Sequence, residues 1–456
     1  MNGRELLLKA LKNEETPRPA WVPFVGVHGG QLLGLTAPEY LRSADHIVEG
    51  QTLAASEYQA DGVPVVFDLQ IEAEVLGCDF DWPDDGPPSV TTHPLELDPD
   101  LSALPDFDTS AGRMPVVAEA ARRLHETIGE SVAIYGLITG PFTLALHLRG
   151  NMIFLDMYDD PDRVSALLDY CADIATRMAK LYTDNGADII AVVDPMTSQV
   201  SAEHFTAFVT PAANKLFDAV HEQSALGSFF VCGDATRNLE AMAETHCDNM
   251  SVDENISLEL LRELGEKHGK SVGGNLKLTL ALLLGTPDTC RRDAIRCIDA
   301  CGTRGFVLAP GCDLPWGVPP ENLKAVAEMV HDEYRRDVAR TALEADEEDS
   351  FDDIFLPNYV DLDEVVVDVV TLDSSSCAPC QYMLVAAQKA AEMFDDTVVV
   401  REHRIKNREG LGYMCKLNVA HIPSICIDGN PVFESIIPDK HVIEEAIRKA
   451  RAEKTQ

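Results

Sequence analysis

The sequence predicts an α/β protein: a parallel (β/α)8 barrel followed by a smaller α/β domain. Three observations lead there. Eight short apolar stretches alternate with amphipathic helical ones between about residues 20 and 330, the rhythm of a parallel sheet wrapped by helices. The chain has 456 residues, more than the roughly 250 a barrel requires. An acid-dense stretch, LEADEEDSFDDIFLP (343–357), then separates the first pattern from a second. The expected boundaries are a barrel over 1–340, an acidic linker over 341–360 and a second domain over 361–456.

The barrel strands are predicted in AWVPFVGV (20–27), GVPVVF (62–67), SVAIYGL (131–137), ADIIAVV (187–193), SFFVC (228–232), CDNMSV (247–252), KSVGG (270–274) and GFVLAP (305–310). Between two of them, PDRVSALLDYCADIATRMAKLYTDNG (161–186) reads as one long helix stopped by Gly186. Barrel chemistry gathers at the C-terminal ends of strands. That rule singles out His28, Asp68, Asp194, Cys232, Asp253, Asn275 and Cys312.

Composition narrows the function. Net charge is −39, from 76 acidic and 37 basic residues; such a surface repels phosphate backbones and anionic lipid, excluding nucleic acid and membranes as partners. The start MNGRELLLKALKNEE lacks a signal-peptide pattern, which points to the cytoplasm. The 12 cysteines are irregularly spaced, unlike a secreted disulfide scaffold.

Beyond residue 360 come a strand EVVVDVVTL (364–372), SSSCAPC, a helix QYMLVAAQKAAEMF (381–394), a strand TVVVREHRI (397–405), and a hairpin in VAHIPSICIDGNPVF (419–433) turned at Asp428-Gly429-Asn430. A CxxC between strand and helix puts Cys377 at a helix N-terminus, where the dipole favours thiolate, and Cys380 one turn on to resolve a mixed disulfide. The region resembles the thioredoxin and glutaredoxin family over roughly 360–455, which implies that Pro423 is the cis-proline facing the pair. The bland alternative is a docking module with inert cysteines.

The first domain resembles the uroporphyrinogen decarboxylase superfamily. GPFTLALHLRG (140–150), DPMTSQVSAEHFTAFVTP (194–211), FVCGDA (230–235), GGNL (273–276), LLGTPD (283–288) and GFVLAPGCDLPWGVPPENLKA (305–325) carry the likeness. The superfamily holds porphyrinogen decarboxylases and cobalamin-dependent methyltransferases. Decarboxylases grip an acidic substrate through an arginine-bearing motif, whereas AWVPFVGVHGGQLLG (20–34) has no arginine. The methyltransferase branch is favoured, acting with a corrinoid carried by a separate protein and a small-molecule methyl donor or thiol acceptor.

Zinc-dependent members use a His-x-Cys at one strand end and a cysteine at a later one. The resemblance implies Zn2+ on Cys232 and Cys312, but Phe230 stands where the family has histidine. The third ligand stays open among His28, Asp194, Asp253 and Glu254, while His246 belongs to the opposite rim. Asp194 and Asp68 are candidate acid–base or orienting groups, or else caps. His28, before Gly29 and Gly30, is a candidate for the same site, and His147 reads as a helix residue. The fused second domain suggests a thiol to be kept reduced by a thiol reductant. Rival readings are a non-catalytic platform with a redox module, a decarboxylase, and a methyltransferase with a non-corrinoid donor.

Overall fold

The computed structural model describes residues 1–343, 351, 353–375 and 377–454. The chain divides into two compact units, Met1–Glu344 and Ala345–Gln456. Most of the acid-dense stretch expected as a linker, residues 344–350 and 352, lies outside the described residues.

The first unit holds eight strands: β1 (Ala20–Trp21), β2 (Gly62–Pro64), β3 (Ala133–Thr139), β4 (Ile189–Val193), β5 (Leu226–Val231), β6 (Asn249–Val252), β7 (Ser271–Leu276) and β8 (Phe306–Pro310). They form one sheet in the order β1-β8-β7-β6-β5-β4-β3-β2, every neighbour parallel. Each predicted barrel strand overlaps an observed one. The first two are shorter than expected. Pro23 has no N–H to give a ladder, and Phe24 turns the backbone to φ 44°; β2 likewise ends on Pro64.

Among the described residues no ladder joins β1 to β2. The sheet closes there through Asp61. Its backbone N–H donates to Trp21 O at 2.9 Å, and its carboxylate accepts from the Trp21 amide at 2.8 Å. Arg18 grips the same carboxylate at 2.6 and 2.7 Å.

Side chains alternate along each strand, and every second one enters the interior. Tyr135, Leu137, Ile189, Ala191, Val193, Phe230, Val307 and Ala309 belong to this interior cluster, as does Cys232, two residues beyond Phe230. Phe24, Phe67, Tyr135 and Phe230 pack ring to ring, with Phe24 5.1 Å from Phe230 and 5.4 Å from Tyr135. Aromatic rings therefore fill the barrel just below the level of Cys232.

Outside, the predicted long helix runs Pro161–Asp184, capped by the Asp160 side chain on Arg163 N, and Gly186 follows with φ 94°. Elements absent from the sequence reading lie in the segments after the strands: a short hairpin (Phe80–Asp81 with Ser89–Val90) and π-helical turns at Phe205–Val209 and Leu278–Leu283.

The second unit has a four-stranded sheet from β9 (Val365–Thr371), β10 (Val398–Arg404), β11 (Ser424–Ile427) and β12 (Asn430–Glu434), in the order β10-β9-β11-β12. β9 and β10 are parallel; the other pairs are antiparallel. The hairpin turns at Asp428 (φ 46°) and Gly429 (φ 79°), the left-handed pair that matches strand twist. β9 feeds both faces: Val365, Val367 and Val369 pack with Met383 and Ile443, while Val366 and Val370 pack with Tyr359 and Leu411.

Candidate active site at the barrel mouth

Cys232 follows β5 with the inward parity of Phe230, and Cys312 follows β8 in Pro310-Gly311-Cys312-Asp313. β5 and β8 are not neighbours in the sheet, so the two sulfurs meet across the interior. Both pack on the barrel's inner cluster, and neither is in a disulfide. The two thiols lie near enough to act on each other. That interaction first, then burial, then nearby negative charge including Asp253 and Asp313, holds the Cys232 thiol well above its usual range.

An acidic pair sits beside them. Asp253 accepts from Gly233 N, next to Cys232, at 3.0 Å and from Asn255 N at 2.9 Å. Gly311, next to Cys312, lies so close to the following residue that an added Cβ would stand 2.7 Å from Glu254 N. Burial, and after it the charge of Asp253, pushes the Glu254 carboxyl up to about 8; its Oε2 accepts from Leu278 N. Asn275, another strand-end residue, donates to Asp253 O at 3.0 Å and Ile256 O at 2.7 Å, fixing the loop that carries both acids.

The other predicted residues are already engaged. Asp194 is fully buried and accepts from Phe142 N (3.1 Å), Thr143 N (2.8 Å) and Thr143 Oγ1 (2.6 Å). It thus caps the helix Pro141–Arg149 after β3, not the turn that follows it in sequence. Burial outweighs these bonds and raises its carboxyl to about 6. Asp68 is paired with the Arg113 guanidinium and accepts from Gln70 N at 2.9 Å. His28 is fully buried: Nδ1 donates to Trp316 O at 3.1 Å, which leaves Nε2 to accept from the Tyr58 hydroxyl at 2.7 Å. Burial lowers its pKa to about 4, so the ring is neutral. His246 pairs with Asp218 on the surface at 2.7 Å, and burial lowers His147 to about 3.

Two groups escaped the sequence reading. Arg113 binds Asp68 and also Glu74 (2.7 Å), with its guanidinium 4.8 Å from the centre of the Trp82 ring. Glu72, raised to about 7 chiefly by burial, accepts from Thr139 N (3.0 Å) and Oγ1 (2.8 Å). Arg113 lies 45 residues from Asp68 with no motif between them. Glu72 stands eight residues beyond the end of β2, in the short helix Ile71–Val75, so the strand-end rule did not reach it.

The barrel can now be set beside known proteins. The family description Uroporphyrinogen decarboxylase (URO-D) matches residues 2–333. The chain belongs to this family. Its relatives include a methylcobamide:CoM methyltransferase of Methanosarcina acetivorans, 30% identical over 71% of this chain and 96% of that one. A methylated-thiol–coenzyme M methyltransferase of Methanosarcina mazei is 32% identical over 60% of this chain and 74% of its own length. A solved methyltransferase from Methanosarcina mazei superposes with a TM-score of 0.67 at 26% identity, covering 76% of this chain and all of that one. Within the URO-D family, then, this chain is an enzyme of the methyltransferase kind.

The family match ends at residue 333, before the second unit. There Cys377 and Cys380 form a disulfide, Cα to Cα 5.3 Å. Cys377 is the cap of the helix Ala378–Ala391 and is partly accessible, whereas Cys380 is 1% exposed and its sulfur accepts from Leu372 N at 3.3 Å. The Ile422–Pro423 bond is cis.

Whether the mouth suits zinc turns on its donors. Two neighbouring thiols are ligands of the right kind, and Glu254 is a buried carboxyl that burial and Asp253 keep protonated up to about 8 despite the charge of Lys277, a group that a bound cation would ionise. His28 and Asp194 are committed elsewhere, as above. Among the described residues no three His, Cys, Asp or Glu side chains are gathered at metal-binding range. The donors fit in chemistry, and a third must move in. No described helix is long and apolar enough to cross a membrane.

Proposed function

We propose that the barrel transfers a methyl group between a corrinoid carried by a separate protein and a small thiol acceptor, with Zn2+ held by Cys232, Cys312 and Glu254. The observation that carries this reading is the proximity of two thiols from distant strands at the mouth of a URO-D-family barrel. A bound Zn2+ would hold an acceptor thiol as thiolate at neutral pH. The chain's own residues do the rest. Asn275 and the Gly233 amide hold the Asp253–Glu254 loop against the thiols. Asp194, Asp68 and His28 act as positioning residues: each ties a segment at a strand end to a neighbouring element. The aromatic floor of Phe24, Phe67 and Phe230 keeps water from the thiols' inner side. The name of one relative, which pairs a methylated corrinoid with coenzyme M, favours the acceptor direction over a donor-side reaction.

The second unit is read as a thioredoxin-like thiol-redox domain. Support comes from an accessible Cys377 at a helix N-terminus, a buried Cys380 and the cis-proline. It would keep mouth thiols or a thiol substrate reduced, itself recharged by a thiol reductant.

Incubation with methylcobalamin and a thiol, followed by cobalamin absorbance, tests the enzyme reading. About one zinc per chain and thiol-dependent demethylation are expected, both lost in Cys232→Ser. Full activity in Cys232→Ser would remove the site assignment. A metal-free protein that reduces disulfides but moves no methyl group would favour the platform reading, and carbon dioxide release from uroporphyrinogen the decarboxylase one.

A further inference from the structure

We infer that Glu402 is a positioning residue for the Cys377–Cys380 pair: it holds the turn after β9 so that the Leu372 amide meets the charge that forms on the Cys380 sulfur during reduction. The inference rests on the thiol-redox reading of the second unit for its use. Cys377 is partly accessible and Cys380 is 1% exposed, so an incoming thiolate attacks Cys377. A bond forms between the reductant's sulfur and that of Cys377, the Cys377–Cys380 bond breaks, and its electron pair leaves on the Cys380 sulfur. No proton moves in this step. The departing thiolate is therefore born out of reach of water, and its charge needs a donor from the protein. The first turn of the helix Ala378–Ala391 is one donor short, because Pro379 has no N–H. The Leu372 amide already donates to Cys380 Sγ at 3.3 Å.

Glu402, on β10, ties down both sides of that amide with a single oxygen. Its Oε1 accepts from Thr371 Oγ1 at 2.7 Å and from Ser374 N at 3.1 Å, and Leu372 lies between the two. Its Oε2 accepts from Arg404 Nε at 2.9 Å. Burial alone would raise the Glu402 carboxyl, but the bonds from Ser374, Thr371 and Arg404 hold it below its usual range, so it is a carboxylate that accepts throughout. The rest of the turn is braced separately. Lys406 Nζ donates to Asp373 Oδ2 at 3.1 Å, Ser375 N and Oγ donate to Asp373 Oδ1 at 3.0 and 2.6 Å, and Cys377 N donates to Asp373 O at 2.9 Å. Lys406 thus steadies the Cys377 end and Glu402 the amide that faces Cys380. A hydrogen bond to an ionised acceptor is about twice as strong as one to a neutral acceptor. A fixed amide therefore favours the state in which the sulfur has become a thiolate, and lowers the barrier to reaching it.

The test is the rate at which dithiothreitol reduces the Cys377–Cys380 bond in the full chain, quenched with acid, alkylated after unfolding and read by peptide mass spectrometry. Removing a fixed donor from a developing anion costs about 100-fold or more; Glu402→Ala frees the amide without removing it, so a rate about tenfold below wild type is expected. Glu402→Gln loses the charge but keeps an oxygen for Thr371 and Ser374, and is expected within about twofold of wild type. Thr371→Val cuts one of the two ties at nearly constant volume and should slow reduction about threefold. An unfolded second unit would open the bond to the reagent and speed its reduction, so loss of fold does not imitate the expected slowing. Equal rates in wild type and Glu402→Ala overturn the inference. So does a Glu402→Gln as slow as Glu402→Ala, which would assign the effect to charge. Should Glu402→Ala fail to fold, an unslowed Thr371→Val overturns it. A reduced pair that passes no electrons to the disulfides of insulin, with the dependence on Glu402 intact, would end the thiol-redox reading while upholding the positioning role.

Discussion

Replacing Arg113 by methionine tests whether Asp68 is an anchor or a reacting group. The guanidinium is shared by Asp68, whose side chain is wholly buried, and Glu74, which is 27% exposed. Without it the Asp68 carboxylate retains the Gln70 amide at 2.9 Å, and an uncompensated buried charge costs about 3–5 kcal/mol. Water takes over at Glu74, where the loss is about 0–1 kcal/mol. The stacking of the guanidinium on Trp82 adds about 0.5–1 kcal/mol. The total is about 3.5–7 kcal/mol, a large share of the roughly 5–15 kcal/mol that holds a typical domain folded. Asp68→Asn combined with Arg113→Met removes the orphaned charge and is expected to recover about 2 kcal/mol. Urea unfolding followed by tryptophan emission suits the measurement, because Trp82 lies against the affected group. A cost under about 1 kcal/mol for the single variant, or no recovery in the double, would refute the reasoning. Asp68→Asn with normal stability and no methyl transfer would make the carboxylate a participant in the chemistry.

Three further outcomes are expected. The Asp194 carboxyl sits at about 6 in the fold against 3.8 outside it; the folded form therefore binds the proton more tightly, and the stability this confers is full below about pH 4 and lost as pH rises through 6. The change is about 3 kcal/mol, and Asp194→Asn should flatten the slope of unfolding free energy against pH across that window. Gly311→Ala sets a Cβ against Glu254 N, costs about 1–3 kcal/mol, and should weaken zinc retention about tenfold in a chelator competition. After reduction, iodoacetamide should alkylate Cys377 and spare Cys380, which is 1% exposed; equal labelling would contradict the assigned order of attack.

The barrel strands were legible because their burial is two-sided: β3 and β4 are wholly buried and spell continuous apolar runs. The inward aim of Cys232 was legible by the same rule, counted from Phe230. The roles of the polar residues were not, because their partners are remote in sequence. His28 bonds Tyr58 and Trp316, 30 and 288 positions away. Asp194 could be seen as a cap, yet the helix it caps begins about 50 residues earlier. The shortening of β1 was written in Pro23, whose missing donor outweighs the apolar run around it.

The clasp at Asp61 has a mechanical consequence. Seven joints of the cylinder would have to shed a row of bonds together before parting, while the eighth is held by the Asp61 carboxylate on Arg18 and Trp21, the Trp21 indole on Tyr58 O and one backbone bond, with no ladder among the described residues. Strain applied anywhere on the ring should collect at that link. Asp61 precedes β2 and takes the amide of Ala133 at the start of β3, so the weak link lies at the N-terminal rim, and the two sulfurs at the other end are mounted on ladders that such strain leaves alone.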